Sequence, residues 1–397
     1  MKIGIFSDTY YPQINGVATS VLLLKEYLEK KGHEVYVFTT TDPKAPVHEE
    51  RVARYPSIPF SNTGRRIAAV LYPAIERAFK RNDFDIIHTH TEFSIGILGR
   101  RLARSLEIPH VHTMHTIYED YTHYIARWKV LTPVNRALAR KYTASFCNSA
   151  DRVIVPTEKT KELLLSYGVS RKIEVIPTGL RLERFAKSAW KPEEVEKARE
   201  GLGLGKNDMA VIYIGRVSKE KNLDEIVSAM AAYLPFHQDV KLVLVGDGPE
   251  RKKLESLAGE LGILNQVIFA GERPWEEIGL YYNVGDVFVS ASTSETQGLT
   301  YIEALAAGLP LVVREDPCLR NVVQDGVNGY TFKDRNEFIS RLDSVLKDPE
   351  HRKKLSLEAE KSAKKFSVEH FGETVLGLYS ALLSERSQAG EETVRVD

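Results

Sequence analysis

The chain has 397 residues, with 54 basic against 54 acidic side chains, 43% hydrophobic residues and 27% charged residues. These values exclude disorder or a coiled coil as the main architecture and suit two domains better than one core. Two cysteines, Cys147 and Cys318, are too few for a disulfide framework. No apolar run is long enough to span a bilayer, and acid and turn residues interrupt the N-terminal segment, so the expected compartment is the cytoplasm. The neutral total hides an asymmetry: residues 1–182 carry 26 Lys and Arg against 18 Asp and Glu, and the remainder carries 28 against 36. A basic half of this kind suits an anionic surface or substrate.

The opening segment predicts a strand over Lys2–Phe6, a loop over Ser7–Gly16, a helix over Val17–Lys30 and a strand over Glu34–Thr39. Gly16 opens the helix, where first-turn amides point at an anionic ligand. The sequence Asn15-Gly16-Val17-Ala18-Thr19-Ser20 lacks the G-x-G-x-x-G fingerprint, which disfavours a bound nicotinamide or flavin. Asp8, near the end of the first strand, is a further candidate for an active-site cleft. Residues 63–81 combine an apolar stripe with basic side chains, and Arg100, Arg101, Arg104, Arg127, Trp128, Lys129, Arg136, Arg140 and Lys141 extend the basic character. Such an element can lie on an anionic leaflet without crossing it.

Strand and helix alternate onward through Phe84–His88, Ile95–Leu106, Ile108–Thr113, Arg152–Val155 and Ile173–Ile176. Eight of the eleven histidines fall in residues 33–123. No H-E-x-x-H helix accompanies them, the cysteines lie far away, and no metal site is expected. His115, just beyond the strand Ile108–Thr113, fits a single functional histidine. Residues 186–208 read as the entry to a second unit. There the alternation restarts with strands Ala210–Ile214, Lys241–Val245, Val267–Phe269, Val284–Ser290 and Leu309–Val313, and with helices Leu223–Tyr233, Glu250–Gly259 and Leu299–Ala307. The expected fold class is α/β, two doubly wound Rossmann-like domains with parallel sheets facing a central cleft. The expected boundaries are 1–182, 183–375, and a C-terminal helix with a polar tail over 376–397 that could return to the first domain.

Arg216 and Lys221 stand in a strand-to-helix loop, where a guanidinium fork and an ammonium suit a diphosphate. Ser294-Glu295-Thr296-Gln297-Gly298-Leu299-Thr300-Tyr301-Ile302-Glu303-Ala304 follows the strand ending at Ser290. Glu295 and Glu303 can accept hydrogen bonds from vicinal hydroxyls of a ribose or hexose, and the amides around Gly298, Leu299 and Thr300 form an anion-accepting helix start.

These motifs resemble the retaining glycosyltransferases of family 4, with the two-domain GT-B fold. The resemblance rests on GRVSKEKN, VLVGDGP, SETQGLTYIEALAAGLP and the N-terminal SDTYYPQINGVATSV. It implies that Glu295 meets the donor sugar's hydroxyls, Glu303 the nucleotide ribose, Arg216 and Lys221 the diphosphate, the Gly16 loop amides the same diphosphate, and His115 the sugar near its reacting centre. The family usually has two glycines in the first loop and Phe-Gly after the first glutamate. Here Asn15 and Thr296-Gln297 stand instead.

Those departures, with YEDYTHY at 118–124, resemble the subgroup that glycosylates lipids, notably synthases placing α-glucose from UDP-glucose on 1,2-diacylglycerol. The partners so implied are a UDP-sugar, a diacylglycerol acceptor and an anionic membrane surface, with peripheral attachment to the inner face of the cell membrane. No metal is obligatory in this chemistry, and no nucleic acid is a partner. A soluble acceptor or another nucleotide sugar stays open, as do a non-catalytic sugar-binding module and, further off, a nucleic-acid protein or an oxidoreductase.

Overall fold

The computed structural model describes residues 1–13, 15–60, 65–70, 72, 75, 77, 79–80, 83–115 and 132–394. The chain forms two compact units, Met1–Gly179 with Val368–Asp397, and Leu180–Ser367.

In the first unit, in chain order, the strands are β1 (Lys2–Phe6), β2 (Glu34–Thr40), β3 (Val52–Tyr55), β4 (Ser57–Phe60), β5 (Arg65–Ala68), β6 (Ile86–Thr89), β7 (His110–Thr113), β8 (Arg152–Val155) and β9 (Ile173–Val175). The helices are α1 (Gly16–Lys30), α2 (Ser94–Ser105), α3 (Thr132–Cys147) and α4 (Glu158–Ser166). Seven strands make a parallel sheet in the order β3-β2-β1-β6-β7-β8-β9, and β4 and β5 pair antiparallel. The expected sheet therefore forms. The stripe read over residues 63–81 is in part something else, because Arg65–Ala68 is the second strand of that hairpin. Tyr118–Tyr124 and Arg127, Trp128 and Lys129 lie outside the described residues.

The second unit holds helices α5 (Pro192–Gly201), α6 (Leu223–Met230), α7 (Arg251–Glu260), α8 (Ile278–Val284), α9 (Leu299–Ala306), α10 (Arg335–Leu346) and α11 (Pro349–Ala363). Its strands are β10 (Met209–Ile214), β11 (Val240–Val245), β12 (Val267–Gly271), β13 (Val287–Ser290), β14 (Leu311–Arg314) and β15 (Gly329–Phe332), in the order β12-β11-β10-β13-β14-β15. Alternate residues of β10 bury on opposite faces. Ala210, Ile212 and Ile214 join one core cluster, and Val211 and Tyr213 join the other, as a parallel sheet covered by helices on both faces requires. The strand expected to start at Val284 starts at Val287. Val284 instead ends α8, whose Tyr281, Tyr282 and Val284 are buried, and Gly285-Asp286 breaks the two elements apart.

The chain leaves and re-enters the first unit at points displaced from the expected 182/183 and 375/376. The Leu180 amide donates to the Phe366 carbonyl at 2.8 Å, which ties Leu180 to the second unit. The final helix α12 (Val368–Val394) is continuous from Val368. Its Phe371, Val375, Tyr379 and Leu382, at helical spacing, bury with Leu24 and Tyr27 of α1 in the core of the first unit. Among the described residues no helix is long and apolar enough to cross a membrane.

Candidate active site

The strand order of the second sheet reverses between β10 and β13, since the chain runs outward from β10 to β11 and from β13 to β14. Ligands of open α/β sheets bind beyond the carboxyl ends of the two strands at such a switch point. Arg216 follows β10 and Glu295 follows β13, so the topology places both loops at the same crevice. Close packing holds the loops there. Gly246, at φ 129°, lets the loop after β11 approach so tightly that a Cβ would lie 1.9 Å from the Gly215 carbonyl oxygen. The Val217 amide donates to Asp247 at 2.9 Å. Asn222, at φ 48°, closes the turn Lys219–Lys221 and donates from Nδ2 to the Ala291 carbonyl at 3.1 Å, joining the two switch-point loops.

Lys221 and Glu295, expected to act on different parts of one donor, are in direct contact. Lys221 Nζ donates to Glu295 Oε1 at 2.5 Å, with side-chain exposures of 22% and 17%. Arg216 is exposed on the same loop. Burial raises the nearby Glu220 carboxyl, but the hydrogen bond from Ser218, then its own amide, Lys221 and Arg216 outweigh burial and lower it. Tyr213 OH donates to the Arg216 carbonyl at 3.0 Å.

Gly298 precedes α9 at φ 71°, and a Cβ there would lie 2.3 Å from the Tyr301 ring. The Tyr301 amide returns to the Gly298 carbonyl at 3.1 Å, and its hydroxyl shares a 2.9 Å hydrogen bond with Ser290 Oγ. Leu299 and Thr300 are left at the open end of the helix, where first-turn amides have no intrahelical acceptor.

Glu303 sits one turn further along α9 and is buried at 5% exposure. Its Oε2 accepts from Tyr282 OH of α8 at 2.7 Å, so its carboxyl bonds into the α8–α9 packing and not to Arg216 or Lys221. Burial pushes its carboxyl up to about 7, against the opposing pull of the Tyr282 hydrogen bond and Arg184. Tyr282 escaped the sequence reading because the strand assigned from Val284 hid the helix that carries it.

In the first unit the order reverses between β1 and β6. Asp8 follows β1 but is committed to structure. Its carboxylate accepts from Thr91 Oγ1 at 2.6 Å, from Ser94 Oγ, and from the amides of Ile95 at 2.9 Å and Gly96 at 3.4 Å, and so anchors the start of α2. Asn15 caps α1, its Oδ1 accepting from the Ala18 amide at 2.9 Å and its Nδ2 donating to Thr9 Oγ1 at 2.8 Å. The residue standing where the family has a glycine thus takes one of the helix-start amides itself, and Gly16 opens the helix exposed.

His115 lies beyond β7, half-buried, with Nε2 3.0 Å from Nδ1 of His90. Burial, then the nearby His112, lowers His115 to about 3, so the ring is neutral near pH 7. His88 of β6, His90 just beyond it, and His110 and His112 of β7 are all buried. Among the described residues no group of three His, Cys, Asp or Glu side chains could hold a metal ion.

The descriptions "Glycosyltransferase Family 4" and "Glycosyl transferases group 1" match residues 14–184 and 194–362. The alpha-monoglucosyldiacylglycerol synthase of Streptococcus pneumoniae is 39% identical over 401 residues, covering 99% of this chain and 90% of that protein. The protein of the same name from Acholeplasma laidlawii is 35% identical over 393 residues, covering 98% and 99%. Among solved structures, Anabaena HepE in complex with UDP matches with a TM-score of 0.77 at 20% identity, over 96% of this chain and 100% of that one, a likeness of fold.

Proposed function

The chain belongs to the family 4 glycosyltransferases, with the GT-B fold, and on that premise we propose that it transfers glucose from UDP-glucose to 1,2-diacylglycerol with retention of the α configuration. The observation that carries the choice is end-to-end identity of 39% and 35% to two proteins named alpha-monoglucosyldiacylglycerol synthase.

The chemical burden is the charge that develops on the departing diphosphate. Arg216, Lys221 and the Leu299 and Thr300 amides beyond Gly298 stabilise it electrostatically, joined by the Gly16 loop, with no step that needs a metal. Lys221 and Glu295 satisfy each other. The donor gives Lys221 phosphate oxygens and gives Glu295 sugar hydroxyls, so each charge exchanges partners and neither is left buried alone. Glu303 takes the ribose hydroxyls. His115, neutral, contacts the sugar near the anomeric carbon and orients it.

Retention through a covalent intermediate needs a free carboxylate nucleophile. Glu295 is held by Lys221 and Glu303 by Tyr282. The family resemblance supports attack on the face the leaving group vacates instead. The acceptor oxygen bonds to the anomeric carbon, the carbon–phosphate oxygen bond breaks, and a donor phosphate oxygen takes the acceptor's proton.

We further place the enzyme on the inner face of the cell membrane as a peripheral protein. The excess of 26 basic over 18 acidic residues in 1–182 supports this. So does α3, which exposes Leu138 and Tyr142 beside Arg136, Arg140 and Lys141 and carries no acid.

The test supplies labelled UDP- and GDP-hexoses with mixed micelles of diacylglycerol and an anionic lipid. Label passing from UDP-glucose into a chloroform-soluble α-glucoside is the expected result. Label confined to water, as free sugar or a soluble conjugate, overturns the lipid acceptor, and transfer from another hexose overturns the donor.

A further inference from the structure

One buried ring at the carboxyl ends of β6 and β7 has no part in the scheme above. His90 is 1% exposed. Its ring lies edge to edge with that of His115 and nearly coplanar with it, with centroids 5.3 Å apart and planes 20° apart, and its Nδ1 faces His115 Nε2 at 3.0 Å. The His88 ring lies 4.1 Å from it. His88 is itself pinned at both nitrogens, by the Tyr379 hydroxyl of α12 at 2.6 Å and the Thr113 hydroxyl at 2.7 Å. The His90 ring thus has a fixed neighbour in His88, and His115 is its hydrogen-bonding partner.

Among the described residues His90 Nε2 is buried and has no hydrogen-bond partner. A polar atom left so costs about 1–3 kcal/mol, which an apolar side chain at this position would avoid. Stability alone therefore does not account for an imidazole here. What the imidazole does have is its bond to His115. Two facing ring nitrogens bond only with one proton between them, so the tautomer of one ring dictates that of the other. Because His115 Nε2 is engaged with His90, Nδ1 is the nitrogen that remains for a ligand.

We propose that His90 is a positioning residue that fixes the orientation and tautomer of His115, so that His115 Nδ1 meets the sugar with one defined hydrogen-bonding polarity. The proposal rests on the role given to His115 above. Burial keeps both rings neutral near pH 7, which preserves the single shared proton.

The test compares the full-length wild type with His90→Leu, His90→Asn and His90→Gln. Asn places its amide where Nδ1 stands, whereas Gln reaches towards Nε2. Nitrogen NMR on ring-labelled histidine should show wild-type His115 with one pyrrole-type and one pyridine-type nitrogen. The same signature is expected in His90→Asn, with the two signals averaged together in His90→Leu and His90→Gln.

In UDP-glucose turnover, kcat should fall roughly 10- to 100-fold in the Leu and Gln variants, the range for partners that orient a functional imidazole, with KM for the donor little changed and Asn restoring most of the rate. An unchanged His115 signature in His90→Leu overturns the proposal. So does an Asn variant as slow as the Gln variant, a comparison that stands even if the Leu variant fails to fold. The NMR arm needs no substrate. A wild type inactive on UDP-glucose therefore counts against the proposed reaction, and the spectra still decide on His90.

Discussion

Lys221 Nζ donates to the Glu295 carboxylate across 2.5 Å, and this pair joins the loops that follow the two strands between which the second sheet reverses its order. On the proposed reading each residue serves as the other's partner until the donor binds. Lys221→Ala removes charge from the departing diphosphate and should lower kcat about 10²–10³-fold. Glu295→Gln should also slow turnover. Because the residues are in contact, the double variant should lose less than the two single losses combined, a departure from additivity that steady-state kinetics on all four proteins measures. Strict additivity contradicts the coupling.

Glu303 should give the second unit an unusual pH dependence. Its folded carboxyl stands at about 7 against an ordinary 4.5. The neutral form is favoured on folding, so this stabilisation is full below about pH 4.5 and is lost as pH rises through about 7. The span corresponds to on the order of 3 kcal/mol. Glu303→Gln should flatten that part of the pH–melting profile. Tyr282→Phe removes the hydrogen bond that lowers the carboxyl, and should extend the loss to higher pH. Profiles of both variants that overlay the wild type contradict this.

The buried histidines work in the opposite direction. His88, His90, His110 and His115 all lie below their ordinary 6.5, chiefly through burial, with His110 and His115 at about 3. Their neutral forms stabilise the fold above pH 6.5, and that contribution is lost as pH falls from 6.5 towards about 3. Each adds a slope of up to ~1.4 kcal/mol per pH unit, opposed in part by Glu303 and by Asp8 and Asp286, whose carboxyls burial also raises. Urea denaturation from pH 7 to about pH 5 should show stability falling steeply. A flat profile contradicts burial of the neutral rings.

Gly298→Ala should damage the donor site through the backbone. The residue holds φ 71°, and the added methyl would sit 2.3 Å from the Tyr301 ring. Strain and overlap together should cost about 1–3 kcal/mol and shift the start of α9. The expected readouts are a lower melting temperature and weaker UDP binding by calorimetry. Unchanged UDP affinity would mean that the helix start does not touch the diphosphate.

Much of this was legible in the sequence, because a parallel sheet covered on both faces writes short apolar strands between helices. The switch point follows from strand order, which lets loops far apart in the chain, at Arg216 and Glu295, converge. What stayed hidden depends on partners. β5 looks like part of an amphipathic stripe until β4 pairs with it. Asp8 looks like a free acid at a strand end until Thr91, Ser94 and the α2 amides close around it. His90 differs from its neighbours only in where its nitrogens point, which no spacing encodes.

The order in which the chain is built gives its last helix a distinct consequence. Leu180–Ser367 is one uninterrupted stretch, whereas the first unit is assembled from Met1–Gly179 and Val368–Asp397. During synthesis the second unit has all its residues in hand while the first still lacks the helix that supplies Phe371, Val375 and Tyr379 to its core. Until Tyr379 emerges, His88 has no hydroxyl at Nδ1. The unit made first is therefore the one completed last, and a nascent chain stalled before residue 368 would carry a finished donor-side unit beside an open histidine core.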